Sequence, residues 1–237
     1  MSTEVLLELA GLSAGYGSTR VLQGIDLTIR RGEIVAVIGR NGVGKTTMMR
    51  CLIGQLPAWG GSIRLRGEDI AGLPPERRAR AGFGYIPQGR EVFPRMTVEE
   101  NLKVGEMVGG PGGRKFQKQV YGYFPILEER RRQRAGTMSG GQQQQLAIGR
   151  ALVGNPEILL LDEPSEGIQP SIVEDISRVL RRINQELGTT ILFVEQNLDM
   201  IMALTRRCYV MDKGRIVAEL PSTELGDPET VKRHLQI

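Results

Sequence analysis

The sequence predicts an α/β fold in which a mostly parallel sheet is covered by helices, and three observations predict it. Ile34–Ile38, Ile158–Leu161 and Ile191–Val194 are short runs that are almost wholly apolar. Strands apolar on both sides belong inside a covered parallel sheet. Helical segments fall between these runs: Ser171–Leu187 places Ile172, Val173, Ile176, Val179, Leu180, Ile183 and Leu187 on one face, behind a Pro170 suited to a first turn. Finally, a glycine-rich stretch joins the first apolar run to a helical segment, Thr47–Ile53.

That stretch is Gly39-Arg40-Asn41-Gly42-Val43-Gly44-Lys45-Thr46-Thr47, which fits the G-x-x-x-x-G-K-[ST] pattern of a phosphate-binding (Walker A) loop. The chemistry needs these residue types. The glycines let successive N–H groups turn toward one anion. Lys45 brings a fixed charge for the β- and γ-phosphates, and the Thr46 hydroxyl suits Mg²⁺. The helix that follows adds its positive end.

In chain order, Val5–Leu9 and Ile25–Ile29 alternate partly with period two and read as antiparallel strands around a Gly15-Tyr16-Gly17 turn. Between about Gln88 and Ser139 the apolar β-runs vanish. Thr97-x-x-Glu100 has the form of a capping box, and Gly109–Gly113 breaks the chain. This stretch reads as a helical subdomain inserted in the core. The arginine-rich Glu128–Arg134 reads as its solvated end. The run Ile158–Leu161 ends in Asp162 and Glu163. At the carboxyl end of a buried strand, Asp162 can hold Mg²⁺ and Glu163 can face an attacking water. Past Arg206, Tyr209–Met211 and Ile216–Ala218 form a hairpin around Asp212–Arg215. A short helix near Glu229–Leu235 follows and carries the single histidine, His234.

Composition sets bounds. The chain has 237 residues, 40% hydrophobic and 24% charged, enough for one domain with a large core. A net charge of +4 decides nothing alone. Cys51 and Cys208 fall in an expected helix and strand and read as reduced core thiols of a cytosolic protein. The N-terminus lacks a signal-peptide pattern, and no apolar run approaches the roughly 18–20 residues of a spanning helix, so a membrane role is expected to act through partners.

Met138-Ser139-Gly140-Gly141-Gln142 is the second informative stretch. Ser139 and Gln142 alone make a capping box. The paired glycines also leave a helix N-terminus open to an anion, although no phosphate loop lies nearby in sequence.

Gly39–Thr47, Gln88, Ser139–Gln142 and Asp162-Glu163, in this order and spacing, resemble the ATPase domain of ATP-binding-cassette (ABC) transporters over essentially the whole chain. The resemblance implies the ABC ATPase fold as a single domain over residues 1–237. Residues 1–87 and 143–237 would form the core with an N-terminal antiparallel β-subdomain, and residues 88–142 the helical subdomain. It implies ATP and Mg²⁺ as ligands and ATP hydrolysis coupled to transport. Glu163 and Gln196 would act in catalysis, and Thr46, Gln88 and Asp162 on the metal. Tyr16 falls where the family stacks an aromatic ring on adenine, with a core tyrosine as the alternative. Gln88 falls at the lid glutamine that senses the membrane subunit. Ser139, Gly140, Gly141 and Gln142 would serve the nucleotide of a second, head-to-tail ATPase.

Two positions depart from the family pattern. Gln196 stands where a histidine is usual, and Ile168 where an aspartate is usual. Both bear on the rate of hydrolysis and keep a slowly hydrolysing ATP clamp in view. Glu195-Gln196-Asn197 and Gly89–Leu102 look like the branched-chain amino-acid importers. Gly39–Gly44, Ser139–Leu146 and Glu166–Pro170 look more like the urea and short-chain-amide branch. The expected substrate is therefore urea or a short amide, with a branched-chain amino acid as the alternative. Expected partners are two permease subunits, a sister ATPase subunit (or a second copy when alone with ATP) and, indirectly, a periplasmic binding protein. Nucleic acid is not expected. The expected place is the cytoplasmic face of the inner membrane, as a peripheral subunit.

Overall fold

A computed structural model describes residues 4–109, 113–221 and 224. The glycine-rich break around Pro111, the C-terminal helix expected near Glu229–Leu235, and His234 fall wholly or mostly outside these residues.

The three apolar runs are adjacent strands: β3 (Ile34–Ile38), β7 (Ile158–Asp162) and β8 (Thr190–Glu195). They lie in a six-stranded sheet of order β10-β9-β3-β8-β7-β6, with β6 at Phe83–Ile86, β9 at Arg207–Asp212 and β10 at Arg215–Pro221. All neighbours are parallel except the β9–β10 hairpin at one edge. Alternation explains the unbroken apolar runs. Ala36, Ile38, Leu159, Leu161, Ile191 and Phe193 enter one core, and Val35, Val37, Ile158, Leu160, Leu192 and Val194 enter another on the opposite face. Phe193 is fully buried, and truncating it to alanine would cost about 3–5 kcal/mol.

The first core is closed by helices. These are α3 (Val98–Gly109), α4 (Gly113–Tyr123), α5 (Pro125–Glu129), α6 (Gly140–Val153), α7 (Pro170–Leu187) and α8 (Leu198–Leu204). Helix α7 is the amphipathic segment read from sequence, and Gly188, at φ 68°, ends it. The expected capping box opens α3: Thr97 N donates to Glu100 Oε2 at 2.7 Å and Glu100 N to Thr97 Oγ1 at 3.2 Å. Arg130, Arg131, Arg132 and Arg134 are exposed.

The second core is closed by α1 (Lys45–Leu52) and a four-stranded antiparallel sheet of order β2-β1-β4-β5, built from β1 (Val5–Tyr16), β2 (Thr19–Arg30), β4 (Gly60–Leu65) and β5 (Glu68–Asp69); a short α2 (Pro75–Arg80) leads from this sheet to β6. Strands β1 and β2 run well past the ranges expected for them. Register shifts between Leu9 and Leu12 and between Ala14 and Gly15 interrupt the period-two alternation that marks a strand in sequence. Cys51 and Cys208 are buried and free.

Candidate functional site

The phosphate loop leaves the carboxyl end of β3 and enters α1 through Gly44, whose φ of 114° excludes a side chain. Gly39 is required for a different reason. A Cβ there would stand 2.3 Å from the Met211 carbonyl oxygen, so only glycine lets the loop pass the end of β9.

Lys45 is buried. Its Nζ donates to the carbonyls of Gly39 (2.8 Å) and Arg40 (3.0 Å) and lies 3.4 Å from Glu163 Oε1. The loop's own carbonyls and the glutamate hold the lysine. Thr46 Oγ1 donates to Asp162 Oδ1 at 3.0 Å, and the Tyr85 hydroxyl to Asp162 Oδ2 at 3.4 Å. Burial pushes the Asp162 carboxyl up to about 6, and the charge of Glu163 adds to the rise. An aspartate so disfavoured as an anion beside a hydroxyl is a ready partner for a cation. Among the described residues no group of three or more His, Cys, Asp or Glu could hold a metal. Thr46, Asp162 and the Gln88 amide oxygen are hard donors that fit Mg²⁺ only in company with phosphate or water ligands.

Glu163 follows β7 with φ 48°, left-handed for a residue with a Cβ, and its N–H donates to the Val194 carbonyl. Gln88 Nε2 donates to Glu163 Oε2 at 3.2 Å. Gln196 Nε2 donates to Asn41 Oδ1 at 2.6 Å, which ties the end of β8 to the phosphate loop. Ile168 is half-buried against the helix-covered core.

A cavity of about 370 Å³ collects Tyr16, Asn41, Gly42, Gly44, Lys45, Thr46, Thr47, Gln88 and Glu163 from four separate stretches of chain. Tyr16 is 43% exposed at its rim, which removes the core-tyrosine alternative, and its hydroxyl accepts from Arg50 at 3.2 Å. Ser139–Gln142 do not line this cavity. They open α6 as a complete capping box, with Gln142 N donating to Ser139 Oγ (3.3 Å) and Ser139 N to Gln142 Oε1 (3.1 Å). A Cβ on Gly141 would stand 2.7 Å from Ile172 Cγ2, so this glycine also lets α6 approach α7. The capping box that the sequence predicts is thus present at the start of α6.

Sequence reasoning missed Glu195, Tyr85 and Arg50. The buried Glu195 carboxylate accepts from Ser165 N (2.9 Å), Gln196 N (2.7 Å) and Asn197 N (3.0 Å), binding the turn after Glu163 to the end of β8. An acid closing an otherwise apolar strand was the available signal. Nothing local marks Tyr85 or Arg50.

A larger cavity, about 670 Å³, lies elsewhere, between the core and the helical layer. Phe83, Tyr85, Glu91, Val92, Phe93, Val104, Val108 and Arg150 are among its lining residues. Phe93 and Val108 are exposed.

The family profile described as ABC transporter matches residues 22–166. The chain is 44% identical to the high-affinity branched-chain amino acid transport ATP-binding protein BraG of Pseudomonas aeruginosa, over 90% of this chain and 91% of that one. It is 34% identical to the probable branched-chain amino acid transport ATP-binding protein LivF of Archaeoglobus fulgidus, over 96% and 97%. Among solved structures, a nucleotide-free ATP-binding cassette from an ABC transporter superposes with a TM-score of 0.86 at 27% identity, covering 98% of this chain and 99% of that one.

Proposed function

The chain belongs to the ATP-binding cassettes of ABC transporters, which bind and hydrolyse ATP and work as dimers with membrane permeases, and from that premise we propose that it powers the import of branched-chain amino acids. The observation that carries the substrate is the 44% identity to BraG along nearly the full length of both chains, with LivF in support. This replaces the urea or short-amide expectation, which the named relatives do not favour.

In this reading the loop N–H groups from Gly39 to Thr47 and the Lys45 ammonium take the β- and γ-phosphates of ATP, and Tyr16 stacks on adenine. Thr46, Asp162 and Gln88 would hold Mg²⁺, which would neutralise charge on the phosphate oxygens. Glu163 takes a proton from the attacking water. Gln196 offers a neutral hydrogen bond to the γ-phosphate, steered by Asn41. Ser139–Gln142 face the nucleotide of a second ATPase subunit, expected to be a sister chain in the assembly and a second copy when alone with ATP.

No helix among the described residues is long and apolar enough to cross a membrane. We place the contact with the permease at the larger cavity. Its apolar walls suit a short amphipathic helix, and it adjoins the segment that follows Gln88. The subunit then sits at the cytoplasmic face, with a periplasmic binding protein delivering the solute from the other side. Deleting the gene should abolish high-affinity uptake of labelled leucine, isoleucine and valine and leave urea uptake intact. Loss of urea uptake alone would overturn the substrate assignment.

A further inference from the structure

Just past Gln88 the backbone is strained. Gly89, Arg90 and Glu91 have φ of 79°, 73° and 45°. Glycine adopts such angles freely, but for Arg90 and Glu91 each costs about 1–2 kcal/mol. Their side-chain and backbone partners keep them there. Arg90 reaches the turn after Glu163, where its Nη2 donates to the carbonyls of Glu166 (2.8 Å) and Gly167 (3.4 Å). The same guanidinium lies against Gly140, so that a Cβ on that glycine would be 3.2 Å from Nη1. Arg150 of α6 donates to the Glu91 carbonyl at 2.9 Å.

The Glu163–Gly167 turn is thus gripped at both ends by one short segment, with Gln88 on the glutamate and Arg90 on the far carbonyls. The buried Glu195 holds the middle through Ser165. None of the roles assigned above uses Arg90. Its contacts are with backbone carbonyls, so what they control is where the turn sits.

We propose that Arg90 is a positioning residue for hydrolysis: it latches the Glu163–Gly167 turn to the start of α6 and so sets the aim of the Glu163 carboxylate. The inference rests on Glu163 acting as the base. A planar guanidinium suits the task because it can reach two carbonyls and lie flat on a glycine at once, whereas an ammonium is a point charge.

The test measures phosphate release and ATP affinity for the wild-type chain and for Arg90→Ala, Arg90→Lys, Glu163→Gln and Arg90→Ala/Glu163→Gln. Misplacing a reacting group by about 1 Å costs up to about 100-fold. Arg90→Ala should therefore lower kcat by about 10- to 100-fold while the Kd for ATP moves less than about threefold. Arg90→Lys should fall between Arg90→Ala and wild type. The double variant should be no slower than Glu163→Gln alone, because both changes act on one group. If Arg90→Ala melts early, Arg90→Gly replaces it, since glycine accepts φ 73° without strain. An inert Glu163→Gln beside an Arg90→Ala of normal kcat overturns the latch and leaves the base in place. Normal turnover by Glu163→Gln overturns the base and the latch with it. An ATP affinity weakened about tenfold or more by Arg90→Ala would make Arg90 a nucleotide ligand and overturn the positioning role.

Discussion

Replacing Lys45 with alanine removes a buried cation that faces the cavity proposed to take phosphate, and the size of the loss follows from its surroundings. A unit charge about 3 Å from a phosphate oxygen, at an effective dielectric near 20, is worth about 5 kcal/mol. The lysine is held by two carbonyls, at 2.8 and 3.0 Å, and by Glu163 at 3.4 Å. Binding exchanges these contacts for phosphate, which offsets roughly half the gain, since hydrogen bonds to a charged group contribute about 1.5–3 kcal/mol net. The remaining 2–3 kcal/mol or so predicts a Kd for ATP weaker by about 30- to 150-fold. Calorimetric titration in a Glu163→Gln background, where turnover does not consume the ligand, measures it. Matched circular dichroism spectra confirm that the fold is retained. A Kd within about threefold of the parent would refute the assignment of the Gly39–Thr47 loop to the phosphates.

Other outcomes follow from other parts of the molecule. Gln196 does not titrate, so Gln196→His should add an inflection near pH 6.5 to the pH–rate profile; identical profiles under conditions where chemistry limits would remove this residue from the γ-phosphate. Ser139→Arg should abolish ATP-dependent dimerisation of the Glu163→Gln protein in light scattering and leave ATP binding to the single chain intact; undisturbed pairing would refute the head-to-tail arrangement. Gly105→Ala places a Cβ 2.0 Å from the Arg150 carbonyl where α3 crosses α6. Forcing the helices apart should cost about 1–3 kcal/mol and lower Tm by roughly 2–12 °C, since about 2–4 °C per kcal/mol holds at this size. An unchanged melting curve would show that this crossing is looser than the structure has it.

Local sequence carried a large share of the fold. The doubly apolar runs at β3, β7 and β8 could only be strands with both faces covered, and each residue's alternate entry into one core or the other follows from the two-residue repeat. The face of α7, the capping box of α3 and the loop before α1 were legible because each is written within a few consecutive residues. The family, too, was legible, because four short motifs recur in a set order. What failed to show locally was long-range. The edge-to-edge order β10-β9-β3-β8-β7-β6 depends on crossovers that leave no mark on any one strand. The full length of the β1–β2 hairpin was hidden by its bulges.

The site divides along the same line. The sequence by itself singled out the groups proposed for the chemistry: three glycines, a lysine and a threonine at fixed spacing, and two acids closing a buried strand. Those identities are local because a tight anion-binding turn must be made from consecutive N–H groups. Only the tertiary structure decided how these groups are held. Lys45 rests on Glu163, Gln196 on Asn41, Gln88 on Glu163, Arg90 on the carbonyls of residues 166 and 167, and Glu195 on Ser165. These contacts join residues 30 to 155 positions apart in the chain. Side-chain hydrogen bonds carry no periodicity and no spacing rule. They exist because strands β3, β8, β7 and β6 bring their carboxyl ends side by side, and that adjacency is a property of the folded sheet.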